Sequence, residues 1–511
     1  MSVAARLISG SAASWMKIGI TMISQIALVP LYLNYWSVET YGVWLAVQAL
    51  IAIMTIIDMG HQTYLGYEFL KVRNNTVELS KLLWSGASIA LFIGVVQLIL
   101  ILIFIFSGLL GPLLDRAELQ DETLIRSAGI ILFLQGISWL LCNGVAGLFV
   151  RALEPFGYFP RMAWWGVFLA VLANVSPALA VVYGADLITT CLVMVSVNII
   201  FNVFPYLDMF RLMRREKISF VRPSLKLGYK NFLLSTAVTG KLLLENARQQ
   251  GVRLVLAPLA GAVGLAAFST MRTGSNVALQ GLNTITNPLM PDLMRFLHDR
   301  DQIRSESAFG TIWIIVVALM APAVVILQAV VAPLFELWTN GRIVFDPALF
   351  SILSLGVLVY AIAQPAMAVV MGNNLMRPQL LLSGLAAVIV IGSIIVLIPV
   401  MGILGAGISL LLAEVVASFG YKYFAKKWLR ENSLSWPSRS FRVSVMSVFI
   451  AGAGMGAMIY LPQFRWGFFA GTLILLGWNF YRYWKILPDL VTQRALNILR
   501  NTRGIRRFIP R

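Results

Sequence analysis

Five basic side chains lie inside stretches that are otherwise apolar enough to cross a membrane: Lys17, Lys241, Arg248, Arg253 and Arg272. The acidic residues near them are too few to neutralise all five charges. A Lys or Arg at the centre of a spanning helix costs about 2.5 to 3.5 kcal/mol on insertion scales, so several together favour a water-filled interior or an anionic ligand over lipid. We therefore predict that these cations line a path for something negatively charged.

One helix face carries the densest group of these charges. Lys241, Glu245 and Arg248 follow each other at spacings of four and three residues, which places them on the same face of a helix. If that helix enters the membrane after Lys230, the rise of about 1.5 Å per residue puts Lys241 about 16 Å deep, near the bilayer middle. Glu245 can pair fully with only one neighbour, so the face stays net positive. Further donors for phosphate oxygens or sugar hydroxyls follow at Asn246, Gln249 and Gln250.

The other cations have two interpretations each. Lys17 lies about a turn into the first predicted helix, where it either faces the interior or extends to the membrane interface. Arg253 lies on a different helix face from Arg248. The favoured interpretation is that its side chain extends to the lipid headgroups. Arg272 lies about nine residues into its span, and structural pairing with Glu245 is its alternative. The predicted cationic substrate-binding set is Lys17, Lys241, Arg248 and Arg272.

Three carboxylates inside apolar stretches are candidates for coupling to a proton or sodium gradient: Asp58, Glu245 and Glu414. Intramembrane carboxylates commonly serve as proton relays, although structural pairing is the alternative for all three. Asp58 also begins a polar stretch with His61 and Gln62 that can mark the approach to a helix end. The sequence contains no zinc-ligand spacing, phosphate-binding glycine loop or catalytic triad, so we expect neither a metal site nor a cofactor.

The elements that position these residues must be membrane-spanning helices. The chain has 511 residues, of which 59% are hydrophobic and only 12% charged, with a mean hydropathy of +0.82. Apolar runs of about 20 residues, each able to cross about 30 Å of hydrocarbon, recur from end to end and predict an all-α polytopic membrane protein with about fourteen spans. The predicted spans begin near Ala12, Tyr41, Leu82, Ser127, Met162, Asp186, Asn231, Val263, Thr311, Ala348, Leu380, Ile403, Val443 and Trp466.

The distribution of Lys and Arg between the spans predicts the orientation. One set of alternate connections is rich in basic residues, whereas the opposite set holds only Arg116, Arg126, Arg342 and Arg465. This asymmetry places both termini in the cytoplasm. The net charge of +18 is then explained by the basic residues that set the orientation in the membrane and attract anionic lipid headgroups. A nucleic-acid partner is not needed to explain it.

Internal repetition predicts two related halves. Arg161 beside Pro160 and Arg377 beside Pro378 occupy matching connections at an offset of 216 residues, and the segments around Gly42 and Gly264 correspond at an offset of 222. Two six-helix bundles with an even number of spans require a pseudo-two-fold axis along the membrane normal, with a site at their interface. The predicted divisions are residues 1–215 and 216–430 for the two lobes, 431–487 for two extra C-terminal helices, and 488–511 for a basic cytoplasmic tail.

Several stretches resemble a known family. The segment APLAGAVGLAAFSTMRTGSNVALQGLNTITNPLMPDLMRF, from Ala257 to Phe296, resembles the seventh-to-eighth helix region of the Wzx-like polysaccharide transporters. These belong to the multidrug/oligosaccharidyl-lipid/polysaccharide exporter superfamily. The opening helix pair, LVPLYLNYWSVETYGVWLAVQAL with IIDMG, and the segment IPVMGILGAGISLLLAEVV are also similar to that family. The motifs are loosely specified, and the resemblance extends to about Lys427.

The resemblance implies a V-shaped, two-lobed transporter of the bacterial inner membrane. Members of such a family move an undecaprenyl-pyrophosphate-linked oligosaccharide from the cytoplasmic to the periplasmic leaflet by alternating access, for exopolysaccharide or O-antigen biosynthesis. Coupling to an ion gradient and partnership with a polysaccharide polymerase and other assembly proteins are further implications. We expect such a protein to be a flippase and not an enzyme.

Three alternatives stay open at this point. A drug exporter of the same superfamily handles cationic substrates and should have an acidic cavity. A membrane-embedded oligosaccharide polymerase or ligase usually carries a sizeable periplasmic loop with catalytic polar residues, whereas the longest outward connection here, from Pro112 to Arg126, is short. A scaffold without transport activity, holding a glycan-assembly complex together, is the third.

Overall fold

The computed structural model describes residues 3–114, 122–249, 251–286, 289–488 and 491–493, and every regular element in these ranges is a helix. The first helices are α1 (Val3–Tyr35), α2 (Val38–Met54), α3 (Ile56–Lys71), α4 (Thr76–Phe106), α5 (Leu110–Leu114), α6 (Glu122–Trp139), α7 (Val145–Leu153), α8 (Phe159–Val182), α9 (Leu187–Arg215) and α10 (Leu225–Gln249). They are followed by α11 (Gly251–Thr286), α12 (Met290–His298), α13 (Gln302–Ile315), α14 (Ala321–Trp338), α15 (Pro347–Gly372), α16 (Met376–Met401), α17 (Ile403–Glu431), α18 (Ser438–Tyr460) and α19 (Arg465–Ile486).

Two π-helical segments connect pairs of these helices. Leu140–Gly144 joins α6 to α7, and Val316–Met320 joins α13 to α14, so that each pair crosses as one long span. A π-turn leaves backbone carbonyls without their usual partners and often occurs where function needs them. Within α11 the chain bends at Gly261, whose φ of 70° favours a residue without a Cβ.

Short polar residues between the apolar runs determine where several helices begin. At each of five starts the N-cap side chain accepts a backbone N–H from the first turn, as such caps typically do. The five caps are Ser37, Asn75, Asp186, Asp301 and Asp346. The Asp186 carboxyl lies between two spans and receives hydrogen bonds from the hydroxyl and the backbone N–H of Thr189, which lower its pKa.

The spans confirm the all-helical polytopic membrane fold. Among the described residues, eleven helices are long and apolar enough to cross a membrane. The pair α2 and α3, bent by 41°, raises the number to twelve if it is one span. The helices α10 and α19 begin near the starts of the seventh and fourteenth predicted spans, but neither is among these eleven, so the total of about fourteen stays a prediction. The polar side chains of α10, among them Lys241 and Glu245, explain why its apolar character is weaker.

The chain forms two compact units. The first comprises the described parts of Met1–Thr270, Trp338–Ile343 and Ile394–Ile403. Its helices approach closely at small residues, as membrane helices commonly do. A side chain at Gly60 in α3 would overlap Thr239 of α10.

The second unit comprises the described parts of Met271–Leu337, Val344–Ser393 and Leu404–Arg511. The helices α18 and α19 belong to it and are held by buried polar contacts. The Tyr483 hydroxyl donates to the Gly310 carbonyl at 2.9 Å, and the Asn479 amide donates to the Ser447 hydroxyl at 2.7 Å. The predicted six-helix halves and their pseudo-two-fold axis stay predictions, and the predicted tail from residue 494 lies outside the described residues.

Candidate functional site

The predicted site residues fall in both units. Lys17, Asp58, Lys241 and Glu245 lie in the first unit, whereas Arg272 and Glu414 lie in the second. The backbone of Arg248 continues α10, but its side chain lies outside the described residues.

On α10, Lys241 and Glu245 share one helix face as their spacing predicts. Lys241 Nζ and Glu245 Oε1 are 3.9 Å apart, and their side chains are 26% and 41% exposed. This separation is at the outer limit of an ion pair. By contrast, the bidentate pair that Arg161 forms with Asp208 has N···O distances of 2.6 and 2.8 Å. Glu245 thus partly offsets the positive charge of Lys241 but does not cover its ammonium group, which an anion can still reach.

Lys17 lies on α1 with an exposed side chain, next to the exposed Trp15 and Met16. This position is compatible with both of its predicted interpretations, a lining residue and an interfacial one. Arg253, in the same unit, is partly buried and interacts electrostatically with Tyr41. That contact with a tyrosine from α2 holds Arg253 within the protein.

Asp58 is enclosed by hydrogen-bond donors. It is only 2% exposed, and its Oδ2 accepts from Gln62 Nε2 at 2.8 Å and from Trp139 Nε1 at 2.9 Å. The same Gln62 amide also donates to two carbonyls of the π-helix Leu140–Gly144. Gly147 permits this approach, because a side chain there would overlap Gln62. The Asp58 Oδ1 has no hydrogen-bond partner in the described part of the chain. Asp58 therefore ties α3 to the end of α6.

The second unit brings two predicted residues to one pocket. Arg272 from α11 and Glu414 from α17 line a pocket of about 60 Å³, together with Tyr360 from α15. Ser275 and Asn276 also line it, one turn beyond Arg272 on the same helix face. The remaining walls are Leu279, Ile352, Leu353, Gly356, Val357, Gly407, Leu410 and Leu411. The pocket thus sets one cation and one carboxylate beside neutral polar groups inside an apolar unit.

The size of this pocket limits what it holds in this state. Its volume admits water or a small ion, because a water molecule takes about 30 Å³ of liquid volume. A diphosphate group would need the surrounding helices to move apart. The Ser275 hydroxyl is buried and finds no hydrogen-bond partner among the described residues, which leaves it available to a ligand atom.

Sequence reasoning missed the neutral polar lining. Ser275 and Asn276 could have been found from their helical spacing to Arg272, three and four residues on. No local pattern indicates Tyr360, since α15 approaches only through tertiary packing. Among the residues that the structure describes, no group of three His, Cys, Asp or Glu side chains could hold a metal ion.

No protein-family model matches this sequence, and no curated protein is similar to it. Solved structures share its fold. The lipid II flippase MurJ in an inward closed conformation matches with a TM-score of 0.65 and 12% identity, covering 96% of this chain and 100% of its own. An inward-facing multidrug resistance MATE family transporter of the MOP superfamily matches with a TM-score of 0.60 and 14% identity, covering 85% and 99%.

A third match is a MOP superfamily transporter from Pyrococcus furiosus, described as having a binding pocket of reverse polarity. Its TM-score is 0.50 at 12% identity, with 84% of this chain and 96% of that chain covered. Identities this low show the fold alone. The chain is therefore a multi-pass membrane protein with the fold of the MOP superfamily transporters.

Proposed function

We propose that this protein is a flippase that moves an undecaprenyl-pyrophosphate-linked oligosaccharide across the bacterial inner membrane by alternating access, for surface polysaccharide biosynthesis. The fold that it shares over nearly its whole length with a lipid II flippase supports a lipid-linked cargo. The intramembrane cations support an anionic headgroup, because charge crossing a medium of low dielectric constant must be matched locally.

The observation that carries this proposal is the pocket shared by Arg272 and Glu414. A guanidinium group binds phosphate oxygens through two parallel hydrogen bonds, which suits a diphosphate better than a point charge does. Glu414 competes with the phosphate for the same cation. Neutralising Glu414 with a proton or Na⁺ frees Arg272 for the substrate, and ionised Glu414 expels it. In this mechanism the carboxylate couples substrate release to an ion gradient.

In the proposed mechanism, α10 of the first unit provides a second cationic binding site for the substrate. Lys241 is accessible and only loosely paired with Glu245, so a phosphate can displace the carboxylate at little cost. Arg248, about two turns beyond Lys241 on the same helix, adds a charge in the proposed scheme. Lys17 is the fourth member of the set that we propose to contact the substrate.

The proposed orientation keeps both termini in the cytoplasm, with transport from the cytoplasmic to the periplasmic leaflet. Polysaccharide polymerase and assembly proteins are the proposed partners on the receiving side. Membrane lipids surround the protein. The proposed activity breaks and forms no covalent bond in the substrate, so no enzymatic step belongs to it.

A proton- or sodium-coupled drug antiporter is the second candidate. The shared fold with a multidrug resistance transporter favours it, as do the intramembrane carboxylates Asp58 and Glu414. A cationic drug would be repelled by Arg272 and attracted by Glu414, so the two candidates assign opposite roles to the same pocket.

Replacing Arg272 separates these candidates. We expect Arg272→Ala to lower export of surface polysaccharide about 10- to 100-fold, because the variant loses a charge-assisted hydrogen bond to phosphate. The lipid-linked intermediate should then accumulate. Arg272→Lys should retain part of the activity because the charge remains. Arg377→Ala is the matched control, an exposed arginine of the second unit outside the pocket. Unchanged export by Arg272→Ala at normal membrane level, or tolerance to cationic drugs that depends on Glu414, would favour the antiporter.

A further inference from the structure

A second cavity of the second unit has a different character from the Arg272 pocket. It is a groove of about 620 Å³ between α15, α17 and α18, within the size range of sites that hold small molecules. Its walls are almost entirely apolar, with Leu355 and Ile362 from α15, Val415 from α17 and Val448 from α18. We call it the α15–α17–α18 groove.

One end of this groove is positively charged. Lys422 of α17 and Arg442 of α18 both line it, and Lys422 Nζ lies 4.2 Å from the centroid of the Phe441 ring. In the part of the chain that the structure describes, neither side chain forms an ion pair with a carboxylate. Lys426 adds a further positive charge next to Lys422. This end of the groove therefore presents uncompensated cations.

The length of the groove matches one leaflet of a bilayer. Along α17 it extends from Leu411 to Lys422, and along α18 from Arg442 to Ala453. Each distance is about 16 Å at the helical rise of about 1.5 Å per residue. Half of the hydrocarbon core measures about 15 Å. A groove of this length reaches from the membrane interface, where basic residues are favoured, to about the bilayer middle.

We propose that the α15–α17–α18 groove binds an anionic diacyl phospholipid of the surrounding bilayer. One acyl chain lies along the apolar walls, and the phosphate contacts Lys422 and Arg442. Access from the lipid is open, because Phe419 and Phe449 at the rim are 64% and 71% exposed. An undecaprenyl chain is much longer than this groove, so a bilayer lipid fits it better than the proposed cargo. The site does not require the transport activity proposed above.

Native mass spectrometry of the full chain in mild detergent tests this site. Phosphatidylglycerol and phosphatidylcholine with identical acyl chains are titrated separately, and phosphatidylglycerol should form a one-to-one adduct at lower concentration. The variant Lys422→Gln/Arg442→Gln should bind phosphatidylglycerol about 30-fold more weakly, as expected for two basic residues near a membrane surface. Its matched control is Lys427→Gln/Arg439→Gln, which removes the same charge from the same two helices outside the groove.

A second variant tests the apolar part of the groove. Ala453 is exposed at the groove wall, so Ala453→Trp fills the space without displacing the core, and it should also abolish the one-to-one adduct. Equal binding of the two lipids, or full binding by the Lys422→Gln/Arg442→Gln variant, would overturn the proposal. Displacement of phosphatidylglycerol by an equimolar amount of undecaprenyl phosphate would overturn it too, because the groove would then belong to the cargo.

Discussion

Asp58 and Glu414 are both carboxylates within apolar helices, but the structure gives them opposite surroundings. Asp58 is buried, and two side-chain N–H donors converge on one of its oxygens. Glu414 is partly exposed and lines a pocket that also contains Arg272. An intramembrane carboxylate is thus compatible with two roles, cross-linking helices or meeting a ligand. The number and type of its neighbours distinguish these roles.

The largest effect expected from this comparison concerns stability. Asp58→Ala leaves the indole N–H of Trp139 without an acceptor and removes one of the three acceptors of the Gln62 amide, which should lower the free energy of unfolding by about 2 to 3 kcal/mol. Asp58→Asn keeps an acceptor oxygen and should retain most of the stability. Thermal unfolding in detergent, together with the amount of protein in the membrane, measures both. A stable Asp58→Ala variant that cannot transport would instead indicate that Asp58 is an ion-coupling residue.

The next effect concerns the Arg272 pocket. If Glu414 competes with the substrate for Arg272, the effects of Arg272→Ala and Glu414→Ala on transport should not add. We expect a coupling of about 1 to 2 kcal/mol, or roughly 5- to 30-fold, between the two substitutions. Transport rates of the two single variants and the double variant in proteoliposomes give this value. Strict additivity would show that the two groups act independently despite lining one pocket.

Asp186 provides a reference carboxylate outside the spans. As the N-cap of α9 it should contribute about 1 kcal/mol, which Asp186→Ala removes. Because folding lowers the pKa of this carboxyl from its ordinary value of 3.8, its contribution is complete above that value and disappears as the pH falls through the lower, folded value. The difference in melting temperature between the wild type and Asp186→Ala should therefore shrink below about pH 4. A difference that does not depend on pH would mean that the neutral acid caps equally well.

The smallest effect concerns the loose pair on α10. Glu245→Gln removes the carboxylate that lies 3.9 Å from Lys241 and leaves the ammonium group fully available to phosphate. Pairs of this kind contribute about 0.3 to 0.5 kcal/mol, so the apparent affinity for the substrate should rise about twofold. Competition binding with a polyprenyl diphosphate checks this expectation. A fall in affinity would mean that Glu245 itself contacts the substrate.

The sequence by itself determined the membrane architecture. The length and the apolar character of each run are local properties of the sequence. A run long enough to cross the hydrocarbon must form a helix, because only then do its backbone N–H and C=O groups all find hydrogen-bond partners within the run. The shared helix face of Lys241 and Glu245 follows from the same local periodicity. These features appear in the structure where the sequence predicts them.

Only the tertiary structure decided which helix faces meet. The contact between Asp58 and Trp139, and the meeting of Arg272, Tyr360 and Glu414 at one pocket, join residues far apart in the chain. In a membrane, a helix face that packs against protein is as apolar as one that faces lipid, so hydropathy cannot tell them apart. Close approach at small residues selects the contacts, and that selection separates a buried structural carboxylate from one that faces a pocket.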